Sequence, residues 1–502
     1  MDSLNEPSVY TTRQISLYRK KITFNAQVPP FQIRGQSRME NTLKIGTTLT
    51  ALVVGASAAV VGMMSANAIP GDGGIAGVTG ADVAVCDMPS IYRWGTSNGV
   101  TGYSVGTTSV NFGDENLDWD ANSNAHPRIP QNMFKVLDGR ITQIGMSWCK
   151  DGFCALQQQG CAPGCSGGGG CPEYLTPGCA DPYSDSINGN QGGLGPRSQC
   201  NAATAIYTFP PEDLDSNYNG AWGRRCAVEV IDLNPSVNQG AIYFADSMYL
   251  HKQDFQAGNG LNNASYKSMN VGNLSNQGYS LSLSGSTRIG EPGIYAWAAS
   301  VDGVFIRPVD IPNDGRVHVG SHAIDNGDGT WRYEYAVYNY NSDDNVGAIS
   351  IPHPAGVQIT DIGFHDIHHH SGEPYSTDDW TIVSDGTSVT WQCEDYSSAS
   401  GDVENPIRWA TMYSFWFTAN AGPNEIIGDL GVHKTGNTVN VDVIAPGAPE
   451  NPFDLNKDGC VNGGDLGSLL LFWGTPNGDF NGDGNTDGGD LGQFIANWDN
   501  DC

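Results

Sequence analysis

Asp328-Gly329-Thr330-Trp331-Arg332-Tyr333-Glu334-Tyr335-Ala336-Val337 is the stretch on which the fold turns. Asp328-Gly329 supplies a tight turn, and the residues after it alternate. On an extended strand Trp331, Tyr333, Tyr335 and Val337 share one face, while Arg332, Glu334 and Ala336 share the other. A period of two with aromatic and β-branched residues on one side describes a half-buried antiparallel strand. The same pattern recurs upstream at 140–146, 226–231 and 279–283, and downstream at 348–351, 357–362, 380–383, 388–392 and 409–417. No long amphipathic helix interrupts it. The predicted fold class is mainly β, with an antiparallel β-sandwich over 281–445. A further β-rich region covers 69–280, and the pattern leaves open whether it joins the same sheets.

Composition agrees with that reading. Gly 65 and Pro 27 in 502 residues, without a three-residue period, exclude collagen and suit a turn-rich β protein. With 24 Lys and Arg against 54 Asp and Glu, the chain carries −30, which disfavours nucleic acid and anionic membrane surfaces as partners. It suits solubility and divalent cations.

Residues 45–64 carry no charge; Lys44 precedes them and Ser65-Ala66-Asn67-Ala68 follows. A basic start, an apolar middle and an A-x-A site form a signal peptide over 39–68. Met39 reads as the true start, which makes 1–38 a start extension and Ile69 the first mature residue. A membrane anchor through 45–64 is the rival. The expected location is outside the cell or on its surface, with no membrane attachment after cleavage. Twelve cysteines in an exported chain read as disulfides. Seven of them, Cys149, Cys154, Cys161, Cys165, Cys171, Cys179 and Cys200, crowd a Gly-rich loop over 149–200. Seven is odd, so one must pair outside, with Cys86, Cys226 or Cys393. The absence of any C-x-x-C pair argues against a metal site there.

A Pro-rich linker over 446–453 leads to a repeat at 454–502. Asp454-Leu455-Asn456-Lys457-Asp458-Gly459 returns as Asp479-Phe480-Asn481-Gly482-Asp483-Gly484, Gly463-Gly464-Asp465-Leu466-Gly467 returns as Gly488-Gly489-Asp490-Leu491-Gly492, and Trp473 matches Trp498. Each copy reads as a calcium loop, because a hard cation is held by many oxygens. The side chains of Asp454, Asn456 and Asp458, and of Asp479, Asn481 and Asp483, stand at positions 1, 3 and 5. Cys460 and Asn485 offer backbone carbonyls at position 7, Asn462 and Asp487 stand at 9, and Asp465 and Asp490 at 12. Two calcium ions are expected. One short apolar helix should follow each loop (Leu466, Leu469, Leu470, Trp473; Leu491, Phe494, Ile495, Trp498), which is not the helix-loop-helix of an EF-hand.

This repeat resembles the dockerin module, whose duplicated loop-helix units bind two calcium ions and, in cellulosomal proteins, dock onto cohesin domains. The resemblance covers about 52 of the 502 residues. It implies head-to-tail packing of the two units, which would bring Cys502 to Cys460 for a disulfide. Positions 10 and 11, where cellulosomal dockerins commonly present hydroxyls to cohesin, are Gly463-Gly464 and Gly488-Gly489, a departure that puts cohesin docking in doubt. Most of 90–420 resembles a group of secreted bacterial proteins ending in such a module, through Gly106-Thr107-Thr108-Ser109, Gly139-Arg140, Ile144-Gly145-Met146-Ser147-Trp148, Gly258-Asn259-Gly260, Asn262-Asn263-Ala264-Ser265-Tyr266, Gly363-Phe364-His365-Asp366 and Arg408-Trp409. It implies architecture and export, and no chemistry.

Elsewhere the candidates are weighed against plainer roles. His365, His368, His369 and His370 cluster with Asp366; on a strand, Asp366, His368 and His370 would share a face able to bind zinc or copper, whereas the plainer reading is a polar strand end that folding can spare. Gly102-Tyr103-Ser104-Val105-Gly106 matches G-x-S-x-G but sits in β-patterned sequence, where an ordinary strand is expected. Glu334 with Asp361 or Asp366 could form a glycoside hydrolase's carboxylate pair. Tyr333, Tyr335, Trp409, Tyr413 and Phe415 could stack on a carbohydrate, although alternate positions favour core. The function expected is a calcium-binding, non-enzymatic extracellular protein assembled with a partner protein through the dockerin-type module. A polysaccharide-degrading hydrolase is the alternative.

Overall fold

The computed structural model describes residues 78–212, 214, 220–397, 403–448, 451–456 and 460–499. The proposed start extension and signal peptide, Ile69, Asp458 and Cys502 lie outside them.

Three five-stranded antiparallel sheets form the body. The middle sheet runs Phe305–Asp310, Arg316–Asp325, Trp331–Asn339, Thr411–Ala419, Ile359–His365 in spatial order. The outer sheet runs Thr381–Ser384, Ser388–Gln392, Val346–Pro352, Pro423–Val432, Thr438–Pro446. The first sheet runs Gly278–Arg288, Ala264–Ser275, Ile242–Met248, Gln131–Leu137, Arg140–Met146. Alternation places the strands well because pairing and burial both follow the pleat: Arg140–Met146 and Ser388–Gln392 begin and end where the pattern does.

The strand that decides the fold is central. Asp325 and Asp328 accept N–H bonds from Gly327 and Thr330 at 2.8 and 3.1 Å, closing the turn before it. The strand then pairs on both sides, Tyr335 standing between Ser321 and Phe415. Tyr333, Tyr335 and Val337 enter a core shared by the middle and outer sheets, with Phe415, Phe417, Ile349, Trp391 and Leu430. Each fully buried Phe or Leu contributes roughly 1.5–3 kcal/mol, so this double layer is the main source of cohesion over 305–446.

The expected half-buried strand is corrected here, because its other face is covered too. Ala336 and Tyr338 join a second core with Phe134, Val136, Ile141, Trp297 and Met412. The first sheet therefore packs on the sandwich. Hydrogen bonds tie the two: Ser414 Oγ donates to Ile141 O at 2.6 Å, and Met412 N to the Gln143 side chain at 2.6 Å. Buried Arg197 donates to Ser147 O, Gln131 O and Ala410 O at 2.7, 2.9 and 2.8 Å, joining three segments through one guanidinium. The upstream region and the sandwich thus share a core.

The Cys-rich loop is stapled as expected. Cys154–Cys171 and Cys165–Cys179 close within it, and Cys161 pairs outside with Cys86. Ser104 of the G-x-S-x-G stretch lies in the buried strand Val100–Val105 and is followed by another strand, Thr107–Asn111. No nucleophile elbow forms; the Ser104 hydroxyl accepts from Trp94 Nε1 and donates to Asp185 O, both at 2.7 Å. No helix among the described residues is long and apolar enough to cross a membrane.

Candidate functional site

In the C-terminal repeat, two helices, Gly463–Leu471 and Gly488–Ala496, each follow one loop. Val461, Leu469 and Phe494 are fully buried between them. The loops close alike. Asp465 accepts the N–H of Asn456 at 2.9 Å on one oxygen and that of Asn462 at 3.0 Å on the other. Asp490 accepts from Asn481 at 3.1 Å and from Asp487 at 2.7 Å in the same way. These carboxylates also complete capping boxes, in which Asn462 and Asp487 accept from Gly464 and Gly489 at 2.8 and 2.7 Å. The N–H donors from Asp487, Asn481 and Phe480 hold the Asp490 carboxyl below the usual range. At Asp465 burial pushes the other way, but donors from Asn462 and Asn456 prevail.

The glycines at position 11 have a local reason. A Cβ on Gly464 or Gly489 would come within 2.6 or 2.7 Å of the side-chain amide of Asn456 or Asn481 at position 3. Glycine there leaves room for the ligand-type amide. In the second loop Asp479 accepts from Gly482, Asp483 and Gly484 at 2.8, 3.1 and 2.6 Å. Among the described residues no three His, Cys, Asp or Glu side chains converge closely enough to hold a metal. The donor set, all oxygen, fits a hard cation, and a carboxylate oxygen accepting one N–H keeps a lone pair for it. Cys460 is disulfide-bonded. Asp499 exchanges hydrogen bonds with Val461 at 2.8 and 3.0 Å, so the last described residues reach the first loop.

The expected apolar stripe is only half buried. Leu469 and Phe494 are interior, whereas Leu470, Leu471, Trp473 and Ile495 are 53%, 84%, 47% and 58% exposed. Two short helices present too little area to cover both sides of their stripes.

The second place is a groove of about 360 Å³ between the first and middle sheets, lined by Lys135, Arg140, Asp232, Arg332, Glu334, His365 and His368. Strand register builds it: Glu334 and Gly363 both pair with Trp416, from either side. A Cβ on Gly363 would lie about 2.1 Å from the Trp416 indole, so glycine admits the ring. Arg140 stacks on that indole at 3.5 Å and grips Glu334 with two hydrogen bonds of 2.6 and 2.9 Å. Arg332 approaches the same carboxylate at 2.7 Å. Lys135 pairs with Asp232 at 2.8 Å. Glu334 is thus engaged by two cations. Asp361 is exposed, at a strand irregularity, and Asp366 accepts from Asn405 at 2.7 Å; neither lines the groove. Arg140 and Trp416 escape sequence reasoning; the only signal was a charged pair, Arg332 and Glu334, on a face that proves to be covered.

The histidines lie at a polar strand end, the plainer of the two readings: the strand ends at His365, the alternation stops there, and no Asp366-His368-His370 face forms. His365 faces Gln143 O at 3.2 Å, its ring 5.1 Å from that of His368. His368 and His369 lie 3.6 and 3.3 Å from the Glu229 carboxylate. His370 is 6% exposed and meets Tyr375 edge-on at 5.5 Å. Burial pushes His365 down to about 4 and His370 to about 3, with His368 and Arg408 respectively adding repulsion. Dispensability for folding therefore narrows to His368. His368→Ala should change stability by less than about 0.5 kcal/mol, and His370→Ala should cost about 1–3 kcal/mol. The folded values lie below 6.5, so the unfolded chain binds these protons more readily, and stability falls as pH drops from about 6.5 towards 4. Asp366, raised to about 6 by burial, opposes this. Urea unfolding at pH 7 and pH 5 checks both points, and a pH dependence unchanged in His370→Ala would contradict the assignment.

Tyr333, Tyr335, Trp409, Tyr413 and Phe415 are all at most 4% exposed and serve as core. Rings that meet solvent lie elsewhere: Trp94, Phe153 and Phe209 line a cleft of about 560 Å³ with Lys150, Asp151 and Asn190. Burial lowers the Lys150 ammonium to about 8. Neither a protein-family model nor a curated protein matches this chain.

Proposed function

We propose that this is an exported, non-enzymatic protein whose β body is attached to an extracellular partner protein through a dockerin-type module binding two calcium ions. The observation that carries the reading is the twofold repetition of one loop closure, by Asp465 and by Asp490. Asp454, Asn456, Asp458, Asn462 and Asp465, with the Cys460 carbonyl, would hold one ion. Asp479, Asn481, Asp483, Asp487 and Asp490, with the Asn485 carbonyl, would hold the other. A Cys460–Cys502 disulfide would clamp the module. Three disulfides in the body suit an oxidising, extracellular setting. The exposed Leu470, Leu471, Trp473 and Ile495 suit an apolar protein surface as the partner.

The hydrolase alternative gains no support from Glu334, Asp361 and Asp366, which do not line one cavity. The test is titration calorimetry of chelator-stripped mature protein, begun at Ile69 as checked by N-terminal sequencing. Two calcium ions should bind per chain, and Asp465→Asn or Asp490→Asn should each remove one. No calcium uptake would overturn the reading. Release of reducing sugar from a glycan panel would instead favour the hydrolase, with the aromatic cleft the first place to mutate.

A further inference from the structure

We propose that Cys149 and Cys200 form a fourth disulfide in the β body, which closes the base of the Cys-rich loop. They are the first and last cysteines of the seven between 149 and 200. The three described disulfides use the five between them together with Cys86. The fold then brings the two ends together. Cys149 pairs with Gly195 across a short antiparallel ladder, and a 3-10 turn over Arg197–Gln199 returns the chain to Cys200. Arg197, inside that turn, holds Ser147 O at 2.7 Å, two residues before Cys149. Both thiols lie in one core at 0% and 5% exposure and hydrogen-bond to each other.

The surroundings favour the reaction. Arg128, 0% exposed, acts on both sulfurs and pairs with Asp151 at 2.9 Å. Although burial opposes it, the hydrogen bond from Cys200 and the Arg128 charge lower the Cys149 thiol, so Cys149 is the attacking thiolate. It displaces one thiolate from a donor disulfide to give a mixed disulfide. Cys200, deprotonated, then attacks the Cys149 sulfur and releases the second. Two electrons pass to the donor, which leaves as two thiols carrying the two protons. Cys226 and Cys393 differ in place: burial raises the thiols of Cys200, Cys226 and Cys393 alike, but Cys226 and Cys393 lie in two other cores, and Cys393 faces the ring of His433 at 3.5 Å. They remain reduced. The bond would anchor the strand Cys149–Asp151, which carries Lys150 and Asp151 into the aromatic cleft.

The inference draws on export only for the oxidant, so the test supplies one. Mature protein equilibrated in oxidised and reduced glutathione is denatured without reductant, alkylated with iodoacetamide and mapped by mass spectrometry. The expected result is a linked peptide pair containing Cys149 and Cys200, with label on Cys226 and Cys393. In Cys149→Ser, Cys200 should become labelled, or carry glutathione. Labelling denatured chain makes the readout independent of whether a variant folds. Label on both Cys149 and Cys200 in the unsubstituted protein, or a link from either to Cys226, would overturn the proposal; neither outcome bears on calcium binding.

Discussion

Stripping calcium from the mature protein with a chelator is expected to melt residues 451–499 while the three-sheet body stays folded. Seven carboxylates, Asp454, Asp458, Asp465, Asp479, Asp483, Asp487 and Asp490, stand in two short loops. Among the described residues only Val461, Leu469 and Phe494 form a fully buried core beneath them. A segment of this size rarely buries enough apolar surface to offset its ordering entropy, and on the proposed reading ion binding supplies the difference. At a hundredfold excess over the dissociation constant each ion contributes about 2.7 kcal/mol. Far-UV circular dichroism should lose the helical signal of Gly463–Leu471 and Gly488–Ala496, and calorimetry should lose one transition of two. Unchanged traces with and without chelator would sink the idea. Acid should act in the same direction. The folded carboxyls of Asp465 and Asp490 lie below 3.8, so their contribution is present above that pH and is lost as pH falls through the lower folded values.

Replacing Glu334 with Gln should destabilise the body by about 3–5 kcal/mol, because it removes one partner of a buried charge cluster and leaves the other uncompensated. The carboxylate is 1% exposed, while Arg140 and Arg332 retain 26% and 29% of their side-chain surface. Water can therefore relieve part of the loss, and the lower end of the range is expected. Urea unfolding measures it, with Asp361→Asn, at an exposed site, as the control that should shift stability by less than about 0.5 kcal/mol. A Glu334→Gln protein as stable as its parent would contradict the clamp. A stable variant that loses glycan-cleaving activity would revive the hydrolase reading.

The groove shows why the chemistry was less legible than the strands. Alternation at 331–337 showed Arg332 and Glu334 on a common face, and nothing nearby in the chain reports what lies over that face. Its cover is Arg140, 194 residues away, delivered by a separate sheet. The histidine cluster failed as a metal face for a related reason. Its geometry depended on the strand continuing past His365, and the chain instead turns so that His370 meets Tyr375.

The sequence by itself determined what local interactions govern: which segments are extended, where the turns fall, that cysteines of the Gly-rich loop would cross-link, and that two Asp/Asn/Gly loops would each be followed by a short helix. Period-two alternation and turn chemistry act over a few residues and survive without their neighbours. Only the tertiary structure decided which faces are covered: that 131–288 packs on the sandwich rather than standing apart, that Cys161 reaches Cys86, that Glu334 sits between two arginines, and that Leu471 faces solvent. Those outcomes depend on how distant segments close on one another. Many closures satisfy the same local pattern, and the one adopted is set by the summed packing of the cores.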